Sequence, residues 1–255
     1  MFIFKDRLIR NAALFFILLG AALITFNVLA EDTGGQYQDI DIHLSVSDKI
    51  KDQIEEFNSY LSKSGILKKY NITPFLKDHP VHITLYLADF DVGKLEEIKA
   101  EVKQIAARWK KFEIKTTGIE ASKSGYVMLE VNNEKDKNGD NNKLQTLSDE
   151  VIFNLMEYRD KQAEAPGWVK AFPGKEKSFN LYGTPNAFME FSAHCSILAE
   201  SLTNPDQQAA FFKEMDELVK NYDYKSTEAE VLSIGIGYVD EFGQMTKEIG
   251  DYPLI

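Results

Sequence analysis

The chain has 255 residues, 44% of them apolar and 27% charged, with a formal net charge of −11. That length and balance describe a folded protein with a real core, not a disordered polymer or a multi-span membrane protein. The acidic balance lacks the broad basic footprint of a general nucleic-acid binder and argues against duplex DNA or long RNA as partner, while leaving room for a small anion held at a local cluster of donors.

The N-terminus stands apart. Residues 1–11 carry Lys5, Arg7 and Arg10 against one Asp6, and an apolar run follows from Ala12 to about Phe26. Asn27-Val28-Leu29-Ala30 then leads into Glu31-Asp32. A basic start, an apolar segment and small residues before a break read as a signal peptide cut after Ala30. An uncleaved anchor is the competing reading, since the run is near the lower limit for crossing a bilayer. The expected organisation is a signal peptide over 1–30 and one bilobal domain over 31–255, periplasmic or secreted, monomeric and free of the membrane once cut. Cleavage would shift the net charge from −11 to −13, because three basic residues and one acidic residue leave. The single cysteine, Cys195, rules out an intrachain disulfide, which export permits but does not require.

Asp39 to Val46 alternates polar and apolar residues as a half-buried strand does. Ser47 and Asp48 are placed to cap a helix near 49–63 with Ile50, Ile54, Phe57 and Leu61 on one face. A Pro-bounded loop, 72–80, leads to a strand over 81–87. A helix is predicted near 93–109, a strand pair at 112–119 and 126–131, an exposed charged loop at 132–142, and a helix near 144–160. The stretch 161–186, with Pro166, Gly167, Pro173, Gly174, Gly183 and Pro185, reads as the longest irregular segment, of the kind that often carries function. Strand character returns over 188–198, a helix runs from Pro205 to about Tyr222, and strands are predicted at 230–239 and near 244–249. Strand, motif and helix occur twice, at His82 and at His194, which points to two similar lobes facing each other.

Four histidines are present: His43, His79, His82 and His194. Two of them begin His-x-Thr/Ser on a predicted strand, as His82-Ile83-Thr84-Leu85 and His194-Cys195-Ser196-Ile197. Residues i and i+2 of a strand share a face, so each tetrad presents an imidazole beside a hydroxyl. Two such pairs around one cleft supply two proton-transfer groups and two hydroxyls. That suits phosphodiester cleavage in which one imidazole activates water, the other protonates the departing oxygen, and the hydroxyls hold the phosphoryl oxygens. One tetrad alone is common by chance and is usually an ordinary partly buried histidine.

With Asp78-His79-Pro80-Val81 before the first tetrad and Gly183-Thr184-Pro185-Asn186-Ala187-Phe188 before the second, residues 37–250 resemble the two-histidine (2H) phosphoesterase superfamily. That group includes the 2'-5' RNA ligase-like proteins and the 2',3'-cyclic phosphodiesterases. The resemblance implies an α/β (α+β) bilobal fold with two antiparallel sheets around a central cleft and flanking helices. It also implies metal-independent cleavage or ring-opening of a phosphodiester without a cofactor. By position, His82 and His194 are the catalytic pair, and Thr84 and Ser196 the substrate-binding hydroxyls. The chain departs from many relatives at Ala193, where they have proline, and at Cys195 in the variable position. Alternation turns Cys195 away from His194 toward the core, as a packing residue and not a nucleophile.

Tyr86, one step along the same face as His82 and Thr84, is a further substrate-binding candidate. His43 is read as solvated on the polar side of its strand, and His79 as a residue of the cleft mouth. Tyr182, Tyr238 and Trp168 are possible stacking groups, each with ordinary packing as the alternative. Lys123 and Lys177 are loop cations able to neutralise a phosphate. No metal-ligand spacing or phosphate-cradling glycine loop is present. The favoured function is hydrolysis of a small phosphodiester, such as a 2',3'-cyclic nucleotide or an oligonucleotide end. An exported, non-catalytic binding protein for a phosphorylated metabolite is the alternative.

Overall fold

The computed structural model describes residues 36–133, 142–200 and 202–255. The signal-peptide reading and most of the loop read at 132–142 lie outside the described residues. The apolar-polar alternation of Tyr37–Val46 gives strand β1, and the 3.6-residue apolar period that follows gives helix α1 (Asp48–Ser64). Its inner face is Ile50, Ile54, Phe57 and Leu61, as the period dictates. Gly65, with φ +83°, ends α1 in the left-handed conformation that glycine adopts without strain, and a short α2 (Ile66–Tyr70) follows. Ser47 does not cap α1 through its side chain; its hydroxyl instead accepts from the Glu230 amide at 3.3 Å.

Next in chain order are β2 (His82–Asp91), α3 (Leu95–Ala106), β3 (Phe112–Ala121), β4 (Tyr126–Val131) and α4 (Lys143–Leu155). The chain continues through α5 (Pro173–Tyr182), β5 (His194–Ala199), α6 (Pro205–Asn221), β6 (Glu228–Val239) and β7 (Met245–Pro253). Helix α5 corrects the expectation that 161–186 is irregular throughout. Pro173 sits at its first turn, where a missing N–H costs nothing, and Gly183 closes it with φ +75°. The proline and glycine that looked like loop punctuation are helix-boundary residues.

All strand pairs are antiparallel, in the order β2-β1-β6-β3-β4-β5, with β7 also pairing β6. The two expected sheets are joined, because β3 belongs to both lobes. Its first half, Phe112 to Lys115, pairs with β6, and its second half, from Thr116, pairs with β4. Helices α1 and α3 lie on β6, α4 on β2, and α6 on β3. The ladder curls enough that its two end strands, β2 and β5, approach each other. The core they enclose includes Ile40, Ile42, Leu44, Ile83, Leu85, Leu129, Ile197 and Ile236, each essentially without exposure.

Candidate active site

The two tetrads occupy those two end strands, at matching places near the strand starts. On β2, alternation buries Ile83 and Leu85 in the core. On β5, it does the same for Cys195 and Ile197. The polar members, His82 with Thr84 and His194 with Ser196, are thereby left on the opposite side of each strand. The two histidines are close enough that a charge on His194 disfavours one on His82.

Each imidazole is held the same way. His82 Nδ1 lies 3.1 Å from the Pro80 carbonyl, and His194 Nδ1 lies 2.9 Å from the Ser192 carbonyl. A carbonyl only accepts, so Nδ1 carries the hydrogen in both rings, and Nε2 is the nitrogen left for chemistry. Burial lowers the pKa of both, His82 being 6% exposed and His194 half-buried. Backbone acceptors oppose that shift in both rings. A pair of imidazoles each tethered at Nδ1 with Nε2 left over is the equipment of acid–base catalysis.

The hydroxyls differ. The Ser196 side chain is half-buried and bonds to none of the described residues. Thr84 Oγ1 is engaged with Asp41 Oδ2 at 3.1 Å. Asp41 and His43 are fully buried on β1, which corrects the reading of His43 as solvated. The β1–β2 register slips between Ile42 and His43, and β1 is covered on both faces, so simple alternation fails there. Asp41 Oδ2 is also 3.5 Å from His82 Nε2 and 3.7 Å from His43 Nδ1. The His43 and His82 ring centroids are 5.5 Å apart. Burial pushes the Asp41 carboxyl up to about 8 and His43 down to about 3.

Tyr86 is not brought to the cleft. It is 1% exposed, and its hydroxyl donates to the Tyr182 carbonyl at 2.6 Å. Burial raises its pKa further. Its one hydroxyl hydrogen and its ring are spent on joining α5 to β2, so it is a packing residue and not a substrate contact. Tyr182 stacks at a tilt on Phe188, 4.6 Å between centroids. Tyr238 packs against the core. Trp168 is exposed against Phe172. His79 does lie beside the first tetrad: its charge disfavours that of His82. Its Nδ1 meets the Met245 carbonyl at 3.1 Å, and its Nε2 lies 3.7 Å from Asp240 Oδ2.

Lys123 and Lys177 are exposed and are given no place at the site. Lys175, which the sequence did not single out, is the cation near His194. It is half-buried, donates to Asn186 Oδ1 at 2.7 Å, and its charge disfavours protonation of His194. The second missed residue is Glu130, directly across from His194 on β4. Burial, then the nearby Glu120 charge, pushes its carboxyl up to about 7. Among the described residues, no group of three or more His, Cys, Asp or Glu side chains is arranged to hold a metal ion, and no helix is long and apolar enough to cross a membrane.

Residues 46–233 match the 2'-5' RNA ligase superfamily. The chain belongs to that superfamily. Membership makes it a phosphoesterase of the two-histidine type, an enzyme that acts on phosphodiester bonds. No curated protein matches the chain by sequence. Among solved structures, TT0787 of Thermus thermophilus is 9% identical with a TM-score of 0.51, covering 85% of this chain and 98% of that one. Kluyveromyces marxianus Usb1 is 12% identical with a TM-score of 0.48, covering 86% and 99%. E. coli LigT in apo form is 10% identical with a TM-score of 0.47, covering 86% and 98%. At such identities the likeness is one of fold, and the first of these carries it: the α+β architecture of the superfamily is the architecture described above. All four tetrad residues, His82, Thr84, His194 and Ser196, fall inside the matched segment, whereas Asp41 and His43 precede it.

Proposed function

We propose that the protein hydrolyses a small phosphodiester, of the 2',3'-cyclic nucleotide or oligonucleotide-end kind, with His82 and His194 as its acid–base pair. The observation that carries this reading is the common tethering of both rings through Nδ1, at 3.1 and 2.9 Å, on the two strands that meet. One Nε2 takes a proton from water as the water oxygen bonds to phosphorus. The bond from phosphorus to the departing oxygen breaks, and the other Nε2, protonated beforehand, gives that oxygen its proton. Thr84 and Ser196 donate to non-bridging oxygens, and the Lys175 ammonium offsets their charge. The acidic net charge favours a small substrate over a long polyanion. From the basic-apolar-small pattern of residues 1–30 we infer an enzyme that acts outside the cytoplasm. A mature N-terminus at Glu31, read by sequencing protein recovered from cells, supports this placement.

The test is a screen without added metal against 2',3'-cyclic nucleotides and short oligonucleotide ends, run beside His82→Ala and His194→Ala. Each substitution should lower kcat by roughly 10²–10⁴-fold with the fold intact by circular dichroism. Full activity in either variant sinks the two-histidine mechanism. Binding of a nucleotide with no turnover in the wild type favours the exported binding protein instead.

A further inference from the structure

The cluster behind the first tetrad is unusual in what it leaves unpaired. Asp41 is fully buried, and its Oδ2 is the meeting point of Thr84 Oγ1, His82 Nε2 and His43 Nδ1 at 3.1, 3.5 and 3.7 Å. Its Oδ1 and His43 Nε2 are buried with no hydrogen-bond partner. Such groups destabilise a fold, because a buried polar atom gives up its water with no hydrogen bond in return. Gly235 on β6 keeps space for the arrangement, since a Cβ there would overlap His43 Nε2. A destabilising polar cluster accommodated by a neighbouring glycine, in contact with a tetrad histidine and a tetrad hydroxyl, calls for a role at the site.

Counting hydrogens supplies one. A threonine hydroxyl has a single hydrogen to give. If Asp41 is a carboxylate, the hydrogen in the 3.1 Å contact must come from Thr84, and none is left for a phosphoryl oxygen. If Asp41 is a carboxylic acid with its hydrogen on Oδ2, it donates to Thr84 Oγ1 and the threonine hydrogen is free. Resting on the phosphoesterase reading above, we propose that Asp41 is a positioning residue which, as a neutral acid, turns the Thr84 hydroxyl toward the substrate and, as a carboxylate, turns it away. Its ionisation then forms a basic limit to activity.

The groups around Asp41 fit this role. His43, beside it on β1, is kept neutral by burial. His82 faces it from β2, and β6 offers only Gly235 and Gly237 opposite His43 and Asp41. His194 from β5 and His79, itself beside Asp240, act on it at one remove, through His82. No lysine or arginine pairs with Asp41 within 4.0 Å among the described residues, so nothing there holds it ionised. Desolvation accordingly lifts the carboxyl to about 8, which keeps it protonated at neutral pH.

The test is Asp41→Asn, whose amide donates permanently to Thr84 Oγ1 and cannot ionise, read together with Asp41→Leu, which donates nothing. Wild-type kcat/KM on a 2',3'-cyclic nucleotide should show, beyond the fall set at lower pH by the histidine that must be protonated, a second fall as pH rises past about 8. Asp41→Asn should keep the neutral-pH rate and lose that second fall. Asp41→Leu and Thr84→Val should each raise KM about tenfold at neutral pH, the loss of one oriented donor to a charged group. In a Thr84→Val background, Asp41→Asn should shift nothing. An unchanged basic limb in Asp41→Asn overturns the proposal, as does an equal loss at every pH in a folded Asp41→Asn protein. Infrared difference spectroscopy of the wild type against Asp41→Leu, without substrate, should show a protonated carboxyl band that the variant lacks, and that is therefore not Glu130's, disappearing over the same pH range. An absent band overturns the proposal even if Asp41→Asn does not fold. A band with no hydrolysis by the wild type leaves Asp41 protonated as described and removes the enzymatic reading instead.

Discussion

The two tetrads are alike in front and different behind. Both histidines are tethered at Nδ1 to the carbonyl two residues earlier. Behind the first lies a buried polar group, Asp41 with His43, and its hydroxyl is already engaged. Beside the second stand Lys175 and Glu130, and its hydroxyl is free of the described residues. Equivalent motifs thus sit in opposite electrostatic settings. A carboxyl next to His82 favours its charged form whenever that carboxyl ionises, while an ammonium next to His194 always opposes charge there. The lesson is that a repeated motif fixes which groups act, and the neighbouring strands fix when each is protonated.

Crowding the first tetrad from behind is the harshest way to break this asymmetry. In Gly235→Ala the new Cβ would overlap His43 Nε2 and the atoms beside it, so the ring must shift. We expect a loss of about 1–3 kcal/mol by urea unfolding, together with a drop in kcat/KM. Wild-type stability would mean that the His43 ring has another place to go.

The pH dependence of stability is the next test. Asp41 is raised from 3.8 to about 8 and Glu130 from 4.5 to about 7, so the folded state holds protons that the unfolded chain has released. Stability from these groups is complete below their unfolded values and is lost as pH rises through the folded ones. The buried histidines work the other way, but only below their unfolded value of 6.5. Between about pH 6.5 and 8 the carboxyls alone act, and the melting temperature should fall across that window. Asp41→Asn should flatten the slope, and a slope equal to wild type would place the carboxyl's ionisation elsewhere.

The second tetrad is probed by Lys175→Met. Loss of the ammonium should raise the His194 pKa in an NMR titration, because the opposing charge is gone. It should also raise KM by about tenfold, by removing a charge-assisted phosphate contact. An unmoved His194 titration would separate the lysine from the site.

Much of this was legible in the sequence. The two tetrads, their strands and the inward turn of Cys195 follow from period-2 alternation, and α1, α3, α4 and α6 from the apolar period and its caps. Helix α5 was missed because Pro173 and Gly183, good boundary residues, are also good loop residues. Asp41 and His43 were misjudged because alternation assigns a face, and says nothing of whether a second layer covers it. Tyr86 was over-read because the β1–β2 register slips beside Leu85, so alternation counted from His82 and Thr84 no longer holds at Tyr86, which is buried with Ala88 and Phe90. Lys175 carries no local pattern at all. Only the fold brings it close enough for its charge to act on His194.

The smallest expected effect sharpens the contrast from the apolar side. Behind the second tetrad, Cys195 is wholly buried, and desolvation pushes its thiol up to about 12, so no thiolate is available near neutrality. Cys195→Ala removes one buried atom of methyl size and should cost about 1 kcal/mol in stability. Turnover of a cyclic nucleotide should stay at the wild-type rate, since the thiol and the His194 ring leave opposite sides of β5. Iodoacetamide should likewise label the native protein slowly and the unfolded protein fast. A large loss of activity in Cys195→Ala would mean that the apolar backing of the second tetrad positions its histidine as tightly as Asp41 positions the Thr84 hydroxyl of the first.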